Sequence, residues 1–164
     1  MNNKEFFIET LKDELPRFER VFKAIEAVPK NKHGHKHDPK SRTASELAGT
    51  IGAESGMIVT FLKTGKLDML AVISPKWETV ADIRKYFAKS MKTVLDTSSK
   101  MDQKKWNSKA KMSMGEKSEW ESPRGKMAWA FLLDLIHHRG QLSTYIRPMG
   151  GKVPSIYGPS ADSK

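Results

Sequence analysis

Cysteine is absent from the 164-residue chain. That excludes disulfides, thiolate metal sites and a cysteine nucleophile, and it suits a reducing compartment. Long apolar runs are absent too. Nothing approaches the roughly 20 consecutive apolar residues that span a bilayer. The opening stretch MNNKEFFIETLKDELPRF carries acids where a secretory leader needs an unbroken apolar centre. The expectation is a cytoplasmic protein with no membrane partner. Glycine-rich phosphate loops, the G-x-S-x-G elbow and the H-E-x-x-H zinc helix are also missing. Nucleotide binding and standard hydrolase chemistry are therefore left without support.

What the chain has in excess is positive charge. The formal net charge is +10, and hydrophobic residues make up 38%. Length and composition suit a single domain over residues 1–164. Residues 29–42 hold five Lys/Arg against one Asp, and residues 100–126 hold eight against four acids. Both stretches read as polar loops. A nucleic-acid reader places its basic residues on a helix face or sheet with aromatic platforms, so nucleic acid is not an expected partner. A solvated surface accounts for the charge.

Apolar residues at spacings of three and four predict four helices. The first covers about 3–27, with Phe6, Phe7, Leu11, Leu15, Phe18, Val21, Phe22 and Ile25 on one face. Pro16 inside it predicts a kink or local break. The second opens with a Thr43–Glu46 capping box and stops at Gly65. The third is placed at Ser74–Pro75, with Trp77, Val80, Ile83, Phe87, Met91 and Leu95 as its stripe, and it fades near Asp96–Ser99. The loop 100–121 stays undecided between turn and short strand. The fourth helix starts at Ser122–Pro123, runs to about Met149 and ends at Gly150–Gly151, before an extended tail over 150–164 that frays. Four long helices without convincing strand pairs give an all-α bundle.

The fourth helix contains MAWAFLLDLI, Met127 to Ile136, apolar in almost every direction and so expected at the centre of the bundle. Asp134 is its one ionisable group, and His138 follows one turn later on the same face. Three readings stay open for this pair: a hydrogen-bonded pair without chemistry, two ligands of a divalent cation, or an acid/base pair in an open pocket. On the second helix, Thr50 and Glu54 are one turn apart beside the apolar face. Glu54 is either a surface charge or an inward partner for Asp134 and His138. The tract HGHKH, His33 to His37, has the composition of a metal binder but lies in a loop with Gly34 and Pro39, and reads as a mobile polar loop. The four tryptophans share no period and read as core anchors.

The run HHRGQLSTYIRPMGGKVPSIYGPS, His137 to Ser160, resembles the last helix and tail of the DinB-like superfamily. DPKSRTASELAGTI, Asp38 to Ile51, resembles the entry to its second helix. The resemblance implies a four-helix bundle in up-down-down-up order with one long crossover connection. The long polar connection between the third and fourth helices, over 100–121, is compatible with that crossover. The resemblance also implies a homodimer and a divalent metal, nickel or zinc, held by three histidines. Some members of that superfamily are metal-dependent transferases that join a small thiol to an electrophile. Transferred to this chain, the histidine of the H-R-G-Q motif is His138. The position one turn earlier holds Asp134, and the helix-two position holds Thr50, with Glu54 one turn further on. The resemblance thus implies a small-molecule or thiol pocket between helices two and four. Asp134 and His138 would serve as catalytic and metal residues, lined by Thr50, Glu54, His137, Arg139 and Tyr145. The alternative is a non-catalytic homodimer that kept the fold and lost the metal.

Overall fold

A computed structural model describes residues 1–115 and 118–163. Four long helices build the bundle: α1 (Asn3–Glu26), α2 (Ala44–Thr64), α3 (Val80–Lys100) and α5 (Arg124–Tyr145). A short α4 (Gln103–Asn107) precedes α5. Residues 116 and 117 of the expected loop 100–121, and residue 164 of the tail, lie outside the described residues.

Side-chain contacts set the direction of each helix. Phe6 and Phe7 pack on Trp129 while Glu14 meets Arg139, so α1 and α5 run parallel. Arg84 pairs with Glu26 and Phe87 packs on Phe18, so α3 opposes α1. Gly52 faces Ile83 and Gly56 faces Tyr86, so α2 and α3 are parallel. Glu54 meets His138 and Phe61 packs on Phe131, so α5 opposes α2. This is the up-down-down-up order. The connection that must return along the bundle is therefore the one between parallel α2 and α3, residues 65–79. The connection between α3 and α5 stays at one end. There the Lys4 ammonium donates to the Met101 carbonyl (2.6 Å) and the Trp106 indole donates to Asn3 Oδ1 (3.0 Å).

Helix starts follow capping chemistry. Asn2–Glu5, Thr43–Glu46 and Thr79–Asp82 each form a reciprocal capping box. The third box moves the start of the third helix from the expected Ser74–Pro75 to Val80. Trp77 consequently lies outside the helix. Its ring instead covers Gly49 and Gly52 of α2, where an added Cβ would stand 3.4 and 3.2 Å from it. Pro16 does not break α1, which is continuous from Asn3 to Glu26. Leu11 and Phe18, buried on either side of it, hold both halves to the core.

The fourth helix starts at Arg124, one residue later than its Ser-Pro signal predicts. Ser122 is engaged in a strand, opposite Ala110. That strand belongs to a small sheet, which resolves the choice left open for 100–121 in favour of strand over part of it. β1 (Lys66–Asp68) pairs in parallel with β2 (Lys109–Ser113), which pairs antiparallel with β3 (Glu119–Pro123). Lys109 pairs with Glu121 (2.6 Å) and Lys111 with Glu119 (2.8 Å) across β2 and β3, so part of the basic stretch is neutralised locally.

The tract HGHKH is anchored to the bundle at His33. One turn of 3₁₀ helix, Lys30–Lys32, precedes it. His33 Nε2 then lies 3.0 Å from the Ile25 carbonyl and 2.9 Å from that of Val28, closing the C-terminus of α1.

Past α5, Gly150 takes φ +88°, a left-handed turn that favours glycine. The tail then folds back onto α1: Arg17 and Arg20 donate to the carbonyls of Ile156 and Ser155 (3.2 and 2.8 Å). Among the described residues it is held as far as Asp162, which accepts from Arg147 (2.8 Å) and from the Val153 amide (2.9 Å). At the centre of this contact Arg139, only 2% exposed, donates to Glu14 and to the Tyr157 hydroxyl (2.6 Å). Tyr157 in turn donates to Glu14 (3.0 Å).

A buried pair is costly to break from one side because the other charge is left without a partner. Arg139→Met or Glu14→Leu alone is expected to cost about 3–5 kcal/mol. The double variant is expected to recover most of that loss. Urea unfolding of the three proteins checks this, and additive losses would disprove the coupling.

Candidate functional site

The site forms where α2 faces α5. Glu54 follows the apolar face of α2 inward, and its side chain is 13% exposed. From α5, His138 is equally enclosed at 13%, whereas Asp134 is 56% exposed. The burial expected for Asp134 is thus not realised. The outer face of α5 carries Ala130, Leu133, Asp134 and His137, all exposed, so α5 lies at the side of the bundle and not at its centre.

Glu54 Oε1 stands 3.1 Å from His138 Nε2, and Asp134 Oδ1 stands 3.8 Å from the same nitrogen. One ligand atom from each of the three residues lies within 4.8 Å of the others. His138 Nδ1 is 3.0 Å from Gln141 Oε1. A proton on Nδ1 donated to that amide oxygen leaves the Nε2 lone pair facing the two carboxylates. Gln141 escaped the sequence reading as a functional residue. Its signal was present: it stands three residues after His138 in the H-R-G-Q run, on the same side of the helix.

Two negative groups and little solvent make ionisation of Glu54 unfavourable. Burial, and secondarily the Asp134 carboxylate, push its pKa up to about 8, while Arg42 opposes the shift. Glu54 Oε2 is buried and has no hydrogen-bond partner among the described residues.

The remaining candidate residues separate around this centre. Thr50 donates to the Glu46 carbonyl (3.1 Å) and accepts from Arg42 (3.3 Å), so its hydroxyl is engaged one turn away from Glu54. Tyr145 donates to the Arg42 carbonyl (2.9 Å) and packs on His37, with ring centroids 4.0 Å apart. His137 is exposed beside His138, their rings 5.5 Å apart. Arg139 lies on the far side of α5, in the buried contact with Glu14. One residue rotates a helical side chain by about 100°, which is why neighbours in sequence face opposite neighbours in space.

A divalent cation fits this donor set. Two carboxylates and one oriented imidazole are ligands for zinc, nickel or manganese, and the unpartnered Glu54 oxygen is a ligand atom with no protein group to satisfy it.

The sequence model of the DinB family matches residues 19–163. The chain belongs to the DinB family. Among curated proteins there is no match. The fold is shared with solved structures, among them two DinB-like proteins. A DinB-like protein from Bacillus subtilis superposes with a TM-score of 0.67 at 15% identity, covering 95% of this chain and 99% of that one. A DinB-like protein from Bacillus cereus gives 0.71 at 17% identity, covering 93% and 97%. Among the described residues no helix is long and apolar enough to cross a membrane.

The Glu54 shift has a signed consequence in this DinB-family chain. Folded Glu54 keeps its proton up to about pH 8, whereas a free glutamate loses it near 4.5. Between those values the folded state binds more protons, so stability in metal-free buffer falls as pH rises, and levels off above about 8. Glu54→Gln removes this slope. Its stability relative to the parent is expected to grow by about 2–4 kcal/mol between pH 5 and 8. Urea unfolding in EDTA at each pH checks this, and parallel profiles would exclude Glu54 as the source.

Proposed function

We propose that this DinB-family chain binds a divalent cation through Glu54, Asp134 and His138 and acts as a transferase on a small molecule. The observation that carries the reading is the convergence of the three ligand atoms within 4.8 Å. The unpartnered, buried Glu54 oxygen supports it. A cation there would take the place of the proton that Glu54 otherwise retains.

Glu54 and His138 would hold the ion from the enclosed side, and Asp134 from the open side. Gln141 fixes the ring of His138 through Nδ1. When bound, such an ion lowers the pKa of a coordinated thiol or water and so provides a nucleophile near neutral pH. The exposed side of Asp134 leaves room beside the three ligand atoms for a small molecule. Asp134 is also the group placed to receive the proton released, because it is the only one of the three open to solvent.

Equilibrium dialysis of untagged protein against zinc and nickel tests the proposal. One ion per chain is expected, with affinity reduced at least tenfold in His138→Ala and in Glu54→Gln. Turnover of an aryl chloride with a small thiol should disappear in the same variants. No uptake by the parent protein would sink the metal centre and leave the non-catalytic binding member as the reading.

A further inference from the structure

Two cavities of opposite character flank the Glu54–Asp134–His138 centre, and each shares a wall with it. The first, about 610 Å³, includes His138 and is lined by His37, Lys40, Arg42, Gln141 and Tyr145. No acid lines it, and neither Lys40 nor Arg42 forms an ion pair among the described residues. The Arg42 guanidinium lies 3.3 Å from the Thr50 hydroxyl, one turn of α2 from Glu54. The second cavity, about 550 Å³, includes Asp134 and is walled by Met69, Met112, Met127, Phe131 and Leu133. Both volumes suit a small-molecule fragment.

We infer that the substrate of this site is a carboxylate-bearing amphiphile, its carboxylate held by Lys40 and Arg42 and its apolar body laid among Met69, Met112 and Met127. This rests on the reading that chemistry occurs at Glu54, Asp134 and His138, since His138 lines one cavity and Asp134 the other. Asp134 and His138 are one helical turn apart, so a single molecule spanning about 12 Å of α5, from Leu133 to Gln141, touches both cavities and passes the centre. Arginine forms a two-pronged contact with a carboxylate, and Lys40 adds a second positive charge in a cavity that no acid lines. Methionine side chains adapt to apolar bodies of varied outline, which fits a substrate class better than a single compound.

The probe is 6-phenylhexanoate, titrated into isotope-labelled, metal-free protein and followed by NMR, with neutral 6-phenylhexanol and short-chain acetate as comparisons. The carboxylate probe is expected to bind at least tenfold more tightly than either comparison. It should shift the amides of Gln141 and Thr144 and the methyls of Met69, Met112 and Met127. Lys40→Gln combined with Arg42→Gln, and separately Leu133→Glu, should each weaken it at least tenfold. All three positions are exposed, so the variants keep their core. Equal binding of the alcohol, equal binding of acetate, no saturation, or shifts confined to the separate cavity beside Trp77 would each overturn the inference. Zinc uptake is measured on the same samples. Uptake without probe binding defeats the substrate class and leaves the metal centre standing. Probe binding without uptake defeats the metal centre and leaves a carboxylate pocket.

Discussion

The rotation of α5 about its own axis is what the site depends on, and the buried contact between Arg139 and Glu14 sets it. An arginine only 2% exposed must spend its donors inside the protein, and Glu14, 4% exposed, is the acid that meets it there. The Arg139 guanidinium also lies over the rings of Phe18 and Tyr157, at 4.7 and 5.1 Å. With Arg139 committed to α1 and the tail, His138 is turned towards α2, and Asp134 one turn earlier shares that direction. A slip of one residue in the α1–α5 contact would swing His138 away from Glu54. The tail serves the same end, since Tyr157 accepts from Arg139 and donates to Glu14, tying the two together.

On the opposite helix, Glu54 sits where a carboxylate is disfavoured. It is enclosed, it faces a second carboxylate and one of its oxygens has no partner. Stability alone gives no reason to keep an acid there, because an apolar residue at an interface of two helices would pack without this cost. Local strain of this kind is a mark of sites that bind something, with the ligand supplying the missing interaction. The pair expected from sequence, Asp134 with His138, is the looser part of the centre at 3.8 Å. The tighter contact, 3.1 Å, is between Glu54 and His138.

The helices were legible in the sequence because their apolar stripes repeat at helical spacing and their caps use recognisable residues. Thr43 with Glu46 and Gly65 mark α2 as observed. Local signals misled where a stronger local competitor lay nearby. Ser74–Pro75 resembles a helix start, yet the Thr79–Asp82 box wins, and Ser122 is drawn into β3 by its pairing with Ala110. The sheet itself was hard to see because β2 and β3 are short and their exposed faces alternate Lys with Glu rather than presenting a continuous apolar face. At the site, the individual residues were visible but their grouping was not. Whether Thr50 or Glu54 meets His138 depends on how α2 is rotated against α5, a property of packing that no single helix encodes.

The topology explains why the two sides of the centre differ in chemistry. Parallel α2 and α3 require a long return connection, and its first part, after β1, brings Met69 against α5, next to Met112 of β2. Antiparallel α1 and α2 are joined at the other end of the bundle, and that connection carries His37, Lys40 and Arg42 to the opposite side of His138. Glu54, Asp134 and His138 therefore stand on helices, where their spacing is rigid, while the cavities beside them combine α5 side chains with residues of the connecting segments. The basic residues that read as a solvated surface along the chain acquire direction only in the fold. Lys109 and Lys111 are neutralised within the sheet, and Lys40 and Arg42 are left facing the site.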